Sequence, residues 1–183
     1  MKKQRIIRSI LVSFLSVAAI TAAVQLHGQE NLQERAWKSI ATRMPASWYG
    51  TDEAKTIAEQ VLLYQRESGG WPKNLPMHRP MSDETKAALK LSAADGFEPT
   101  FDNDATITEM KFMARMYAAT QDERYRRSFE RGLDYIFAAQ YPVGGWPQFY
   151  PLRGGYFDRI TFNDDAMANI LTVLKEIYSG DPL

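Results

Sequence analysis

The 183-residue sequence contains no cysteine and only two histidines. Disulfide bonds and thiolate-held metals are therefore excluded. A histidine-based zinc site lacks ligands too, because His27 lies at the edge of the N-terminal leader and His78 stands in a polar loop without a second ligand. Charge of either sign is not in excess: 22 basic residues balance 22 acidic ones, which leaves no basic field to argue for nucleic-acid binding. Long apolar runs are missing, since the stretch from Ile10 to Ile20 falls well short of the roughly 20 residues that cross a bilayer. No segment reads as a clear run of strand residues, so an all-α chain is expected.

What is present begins with a leader. Lys2, Lys3, Arg5 and Arg8 precede the Ile10 to Ile20 stretch, which runs into small residues at Thr21, Ala22 and Ala23. That order predicts a secretory signal peptide over residues 1–28 and places the mature chain, 29–183, in the periplasm or outside the cell, with no membrane association once the leader is removed. Loss of the leader leaves 18 basic against 22 acidic residues, a net charge of −4. An anionic substrate then needs local lysines and arginines or a bridging cation.

Two motifs recur in the same order. Gln-x-x-x-Gly-x-Trp occurs at 65–71 and again at 140–146, each time followed by proline, and Thr-Phe-(Asp/Asn)-(Asn/Asp)-Asp-Ala occurs at 100–105 and 161–166. A duplicated structural unit is expected. Helical spacing places the helices of the first unit at about 53–65, through Ile57, Val61, Leu62 and Tyr64, and at 104–120, through Ile107, Met110, Met113 and Tyr117. Those of the second run from 122 or 123 to about 140, with Phe129, Leu133, Ile136 and Phe137 on one face, and from 164 to 178 through Ala168, Leu171, Leu174 and Ile177. A short polar helix is expected over 31–40, a loop over 45–50, a helix over 85–91 capped by Asp83 or Glu84, and a short strand pair near 149–157. The whole reads as an array of helical hairpins. Two hairpins do not close a ring, so further hairpins beyond Leu183 are expected to cover an apolar edge.

Each motif admits a scaffold role and a chemical one. In the first, the glutamine can satisfy backbone groups at a helix end and the glycines admit positive φ; Trp71 and Trp146 can cover the next helix or stack on a sugar ring. In the second, each copy holds two carboxylates and one amide at a helix start, where such residues cap. Convergence of the two copies would instead gather oxygen donors without histidine or cysteine, which suits Ca²⁺. Lys73, Asn74, Arg153 and Arg159 lie in the adjoining loops, and Met110, Met113 and Met116 read as core.

At Gly-Gly-Trp-Pro-Lys-Asn (69–74), Thr-Phe-Asp-Asn-Asp-Ala-Thr (100–106), Gly-Gly-Trp-Pro-Gln-Phe-Tyr-Pro (144–151) and Ile-Thr-Phe-Asn-Asp-Asp-Ala-Met (160–167), the chain resembles the pectate lyases of polysaccharide lyase family 10. The resemblance implies a partial (α/α) toroid over residues 29–183 and Ca²⁺-dependent β-elimination of polygalacturonate or pectin. It places metal carboxylates on Asp102 and Asp164, with Asp165 beside them, and substrate contacts on Asn103, Lys73, Arg153, Trp71 and Trp146; a monomer is expected. The arginine base of that family has no counterpart here and is expected beyond Leu183, so the chain alone is expected to be inactive. The competing readings are a terpene-cyclase-like toroid, which shares such glutamine and tryptophan turns, and a non-catalytic carbohydrate-binding protein.

Overall fold

The computed structural model describes residues 32–90 and 96–183. The expected leader and Asn31 lie outside the described residues, and all that follows belongs to the compact unit Ala36–Leu183. Helices form where the sequence supplies caps and one apolar stripe. Helix α1 spans Trp37–Arg43 and is followed by a 3₁₀ turn, Ala46–Gly50, where a loop was expected. Helix α2 spans Asp52–Tyr64 and begins at Thr51, whose hydroxyl accepts from the Ala54 amide, with Asp52 and Glu53 complementing the helix dipole. Helix α3, Asp83–Leu89, starts two residues earlier than expected. Its cap is the Ser82 hydroxyl, which accepts from the Thr85 amide, so the two acids occupy the first turn.

Helices α4 (Ile107–Thr120), α5 (Glu123–Ala139) and α6 (Ala166–Ser179) complete the array, with α4 and α5 in extensive contact. The methionines of α4, Met110, Met113 and Met116, are fully buried as expected. The buried face of α5 differs from the expected one: Tyr125, Ser128, Gly132, Tyr135, Ile136 and Ala139 face inward, and Phe137 is 57% exposed. Close approach explains this choice. A Cβ on Gly132 would lie 2.6 Å from Met110 Cγ and 3.2 Å from the Trp71 ring, so only the side of α5 that carries glycine and serine can meet α4 at this distance. On α6 the buried residues are Ala166, Ile170 and Val173, while Ala168 and Leu171 of the expected stripe are exposed. The expected strand pair near 149–157 is reduced to an isolated antiparallel bridge between Thr100 and Phe149 and a bond from the Gln148 amide to the Phe157 carbonyl.

The duplication extends to individual hydrogen bonds. Trp71 Nε1 donates to the Val61 carbonyl and Trp146 Nε1 to the Ile136 carbonyl, each at 2.8 Å and ten residues back along the chain. The Arg66 amide donates to Gly70 as the Tyr141 amide does to Gly145, and the Thr100 amide to Trp71 as the Thr161 amide does to Trp146. The glutamine-glycine-tryptophan turn thus closes the end of one helix and hands the chain to the aspartate turn. His78, expected in a polar loop, is buried and stacks on Trp37, with ring centroids 6.2 Å apart.

Candidate functional site: the paired aspartate turns

Each aspartate turn is a 3₁₀ turn at the start of a helix with two consecutive residues in the left-handed region. In the first, Asn103 has φ 52° and Asp104 φ 62°; in the second, Asp164 has φ 47° and Asp165 φ 56°. Asparagine and aspartate are the side chains that enter this region at least cost after glycine. In both turns a threonine hydroxyl, Thr100 or Thr161, accepts the amide two residues on, from Asp102 and Asn163 respectively. The two turns lie against each other.

Their carboxyls meet. Asp102 is 3% exposed, and its Oδ2 is held by the Lys73 ammonium. Burial alone would raise its pKa, but the hydrogen bond and charge of Lys73, with smaller help from Gln148 and Asp164, outweigh it and hold the carboxyl below its ordinary range. Asp164 shifts the other way. The neighbouring Asp102 carboxyl, which favours its protonated form, raises it first, and the charges of Asp102 and Asp165 add to the effect. Two adjacent carboxylates do not both ionise without cost, and the shifts divide that cost unequally, lowering the buried Asp102 and raising the exposed Asp164.

Basic and aromatic groups border the pair. The Lys73 ammonium lies 5.5 Å from the centre of the Phe149 ring, while the Arg153 guanidinium lies 4.8 Å from the same ring and 5.1 Å from that of Phe157. Arg153 is held from its own loop, since Asp158 Oδ1 accepts the amides of Arg153 and Gly154 at 3.0 and 2.9 Å. Its contact with Glu98, 3.6 Å at the surface, contributes little. Asn103 donates to Asn74 Oδ1 at 3.0 Å, which joins the loop after the first Gly-Gly-Trp-Pro to the first aspartate turn.

Asp102, Asp164, Lys73 and Asn103 are therefore brought together by the two turns, and Arg153 shares the Phe149 ring with Lys73. Asp165 is exposed and reaches Asp164 through its charge. The tryptophans do not join them: Trp71 is fully buried and Trp146 is 3% exposed, each with its indole N–H bonded to a backbone carbonyl. Neither presents a ring face to a sugar, and stacking is withdrawn for both. Sequence reasoning missed Gln148, 7% exposed, which helps Lys73 to lower the pKa of Asp102. Its only signal was its place immediately after the second Gly-Gly-Trp-Pro, where Lys73 follows the first.

The donor set fits a hard cation in kind. Asp102 Oδ1 is buried without a hydrogen-bond partner, and an orphaned carboxylate oxygen beside a second carboxylate is costly unless something positive or protic serves it. Among the described residues no group of three or more His, Cys, Asp or Glu side chains is placed to hold a metal. Two carboxylates and neighbouring amides would supply part of a calcium shell of six to eight oxygens, with the rest left to water or substrate.

Comparison with known proteins agrees with this geometry. A solved family 10 polysaccharide lyase from Cellvibrio cellulosa is 39% identical, over 75% of this chain and 41% of that one, with a TM-score of 0.58. A variant of that lyase, solved in complex with trigalaturonic acid, is 38% identical over the same shares, with a TM-score of 0.59. The chain thus spans about two-fifths of the length of these relatives. No curated protein matches. The helical hairpins with their paired turns have the fold of part of a family 10 polysaccharide lyase toroid. Residues 65–182 match the family model described as pectic acid lyase, and the chain belongs to that family.

Proposed function

We propose that the face bearing Asp102 and Asp164 binds polygalacturonate through Ca²⁺ and serves β-elimination of that polymer in an exported pectate lyase. The observation that carries this reading is the meeting of two carboxylates from equivalent turns, one with a buried unserved oxygen, beside Lys73 and Arg153. The reaction removes the C5 proton of a galacturonate, α to its carboxylate, and expels the glycosidic oxygen at C4. A carboxylate resists the further negative charge that this step creates, so its own charge must be offset. A bound Ca²⁺ supplies that offset by Lewis-acid interaction with the uronate carboxylate.

The chain's own residues do the rest of the binding. Lys73 keeps Asp102 ionised at neutral pH, so a cation need not displace a proton from it. Arg153, packed against the Phe149 and Phe157 rings with its backbone tied by Asp158, presents a cation to a second uronate. No residue of this sequence is assigned the role of proton-abstracting base. The relative solved with trigalaturonic acid supports the choice of polymer. A terpene-cyclase reading fares worse, because it asks for an acid in an aromatic-lined apolar cavity, and Asp102 is surrounded by Lys73, Gln148 and Asp164.

Incubation of the complete protein with polygalacturonate and Ca²⁺, followed by absorbance of the unsaturated product, tests the reading. Product that forms only with the metal supports it; no product, or product that survives chelation, overturns it. The chain alone should bind oligogalacturonate in a Ca²⁺-dependent way without turnover. Asp102→Ala should abolish that binding in calorimetry.

A further inference from the structure

The third residue of the first turn has a place in the molecule that cap chemistry does not explain. Asp104 uses both carboxylate oxygens on partners far away in sequence: Oδ2 accepts from Lys38 Nζ at 2.6 Å, and Oδ1 accepts from Asn169 Nδ2 at 2.8 Å. Lys38 belongs to α1. Asn169 lies in the first turn of α6, five residues after Asp164 and on the helix that the second aspartate turn begins. One side chain therefore ties the first turn to the helix carrying the second. It stands over a polar cavity of about 150 Å³, lined by Thr42, Thr108, Lys111 and Thr172 among others. The two arms are unequal. Lys38 is 54% exposed, where an ion pair contributes little, whereas the Asn169 bond is partly buried. The counterpart of Asp104 in the second turn, Asp165, is exposed and bonds no side chain among the described residues.

A tie of this kind answers a need of the site. Asp102 and Asp164 repel each other when both are ionised, and that doubly ionised state is the one a divalent cation requires. Something else must hold the turns together. We propose that Asp104 is a positioning residue that keeps the two aspartate turns in register, acting through Asn169 on Asp164. The proposal rests on the cation reading of Asp102 and Asp164 and deepens it by naming what sets their spacing. Partners in the outer shell of a metal site commonly change affinity by a factor of 10 to 100, and a tie one residue further removed belongs at the low end.

The test uses the full chain, with Ca²⁺ titrated calorimetrically and amide exchange followed over residues 161–166. Asn169→Ala and Asp104→Ala should each weaken Ca²⁺ binding about tenfold and speed exchange in that segment, and the double variant should lose no more than Asp104→Ala alone. Asp104→Asn keeps an acceptor for Asn169 and should stay within about threefold of the unaltered chain. A lower melting temperature with unchanged Ca²⁺ affinity in Asn169→Ala would mark a merely structural bond and overturn the proposal. Should the unaltered chain take up no Ca²⁺, the cation reading fails. Exchange then judges the tie by itself, and unchanged exchange at 161–166 in Asn169→Ala sinks it.

Discussion

The two repeats share their hydrogen bonds but not their surroundings. Phe101 is 1% exposed under the Tyr135 ring of α5, with centroids 4.8 Å apart; its counterpart Phe162 is 79% exposed. Gln65 donates to the carbonyls of Gly69 and Ser128 and accepts from the Ser128 hydroxyl and Arg131, whereas Gln140 is exposed and makes none of those contacts. The difference is a helix. Repeat one is closed by α5 of repeat two, while the corresponding face of repeat two, with Phe162, Leu171 and Tyr178, has no such cover among the described residues. Local sequence thus suffices to form each turn, but the energy of the turn comes from the neighbour packed against it.

The contrast is broken most severely at glycine. At Gly69, with φ +101°, an added Cβ would meet the Arg131 carbonyl oxygen at 2.2 Å, whereas at Gly144, with φ +85°, it would meet nothing within 4 Å. Gly69→Ala should cost more than about 3 kcal/mol and Gly144→Ala about 1 kcal/mol, the latter from backbone strain alone. Denaturant unfolding of the two variants measures both. Phe101→Ala should follow at about 3 kcal/mol, against less than about 0.5 kcal/mol for Phe162→Ala; equal losses would mean that the exposed face is covered in solution.

The helices after the turns differ in a titratable way. Where α6 places Ile170, α4 places Glu109, fully buried, with its Oε1 accepting from the Trp37 indole at 2.7 Å and its pKa pushed up by burial to about 7. A folded-state pKa above the unfolded one means that the native protein holds the proton longer. The stability is complete below pH about 4.5 and falls as pH rises to about 7, by on the order of 2–3 kcal/mol. Glu109→Gln should flatten that fall in thermal melts between pH 4.5 and 7, and a persisting slope would assign it to other groups. The smallest effect is expected at glutamine: Gln65→Ala should cost about 1–2 kcal/mol and Gln140→Ala close to nothing.

Much of this was legible in the residues. The duplication, the helix starts near residue 53 and at 122 or 123, and the meeting of Asp102 with Asp164 follow from motif order and cap chemistry. The buried faces of α5 and α6 did not, for a physical reason. Counting apolar residues favours Phe129, Leu133 and Phe137, but contact between α4 and α5 is decided by the absence of a Cβ at Gly132, which a hydrophobic count scores as nothing. Gln148 was equally hidden as a site residue, because its role depends on which loops come together. Trp71 and Trp146 were ambiguous in sequence for the opposite reason, since the same ring can cover a helix or meet a sugar, and only burial separates the two.

The aspartate turns carry a small asymmetry with a large chemical result. Read in parallel, Asp102 corresponds to Asn163, and Asn103 corresponds to Asp164, so acid and amide have exchanged places between the copies. Had the duplication kept the order, the face would bear two acids of one kind. The exchange instead sets one acid before the left-handed pair, where it is buried against Lys73, and the other within the pair, where solvent reaches it. Copying produced the symmetry of the scaffold; a swap of neighbours made its two carboxyls unlike, one buried against Lys73 and held below its ordinary range, the other open to solvent and raised above it.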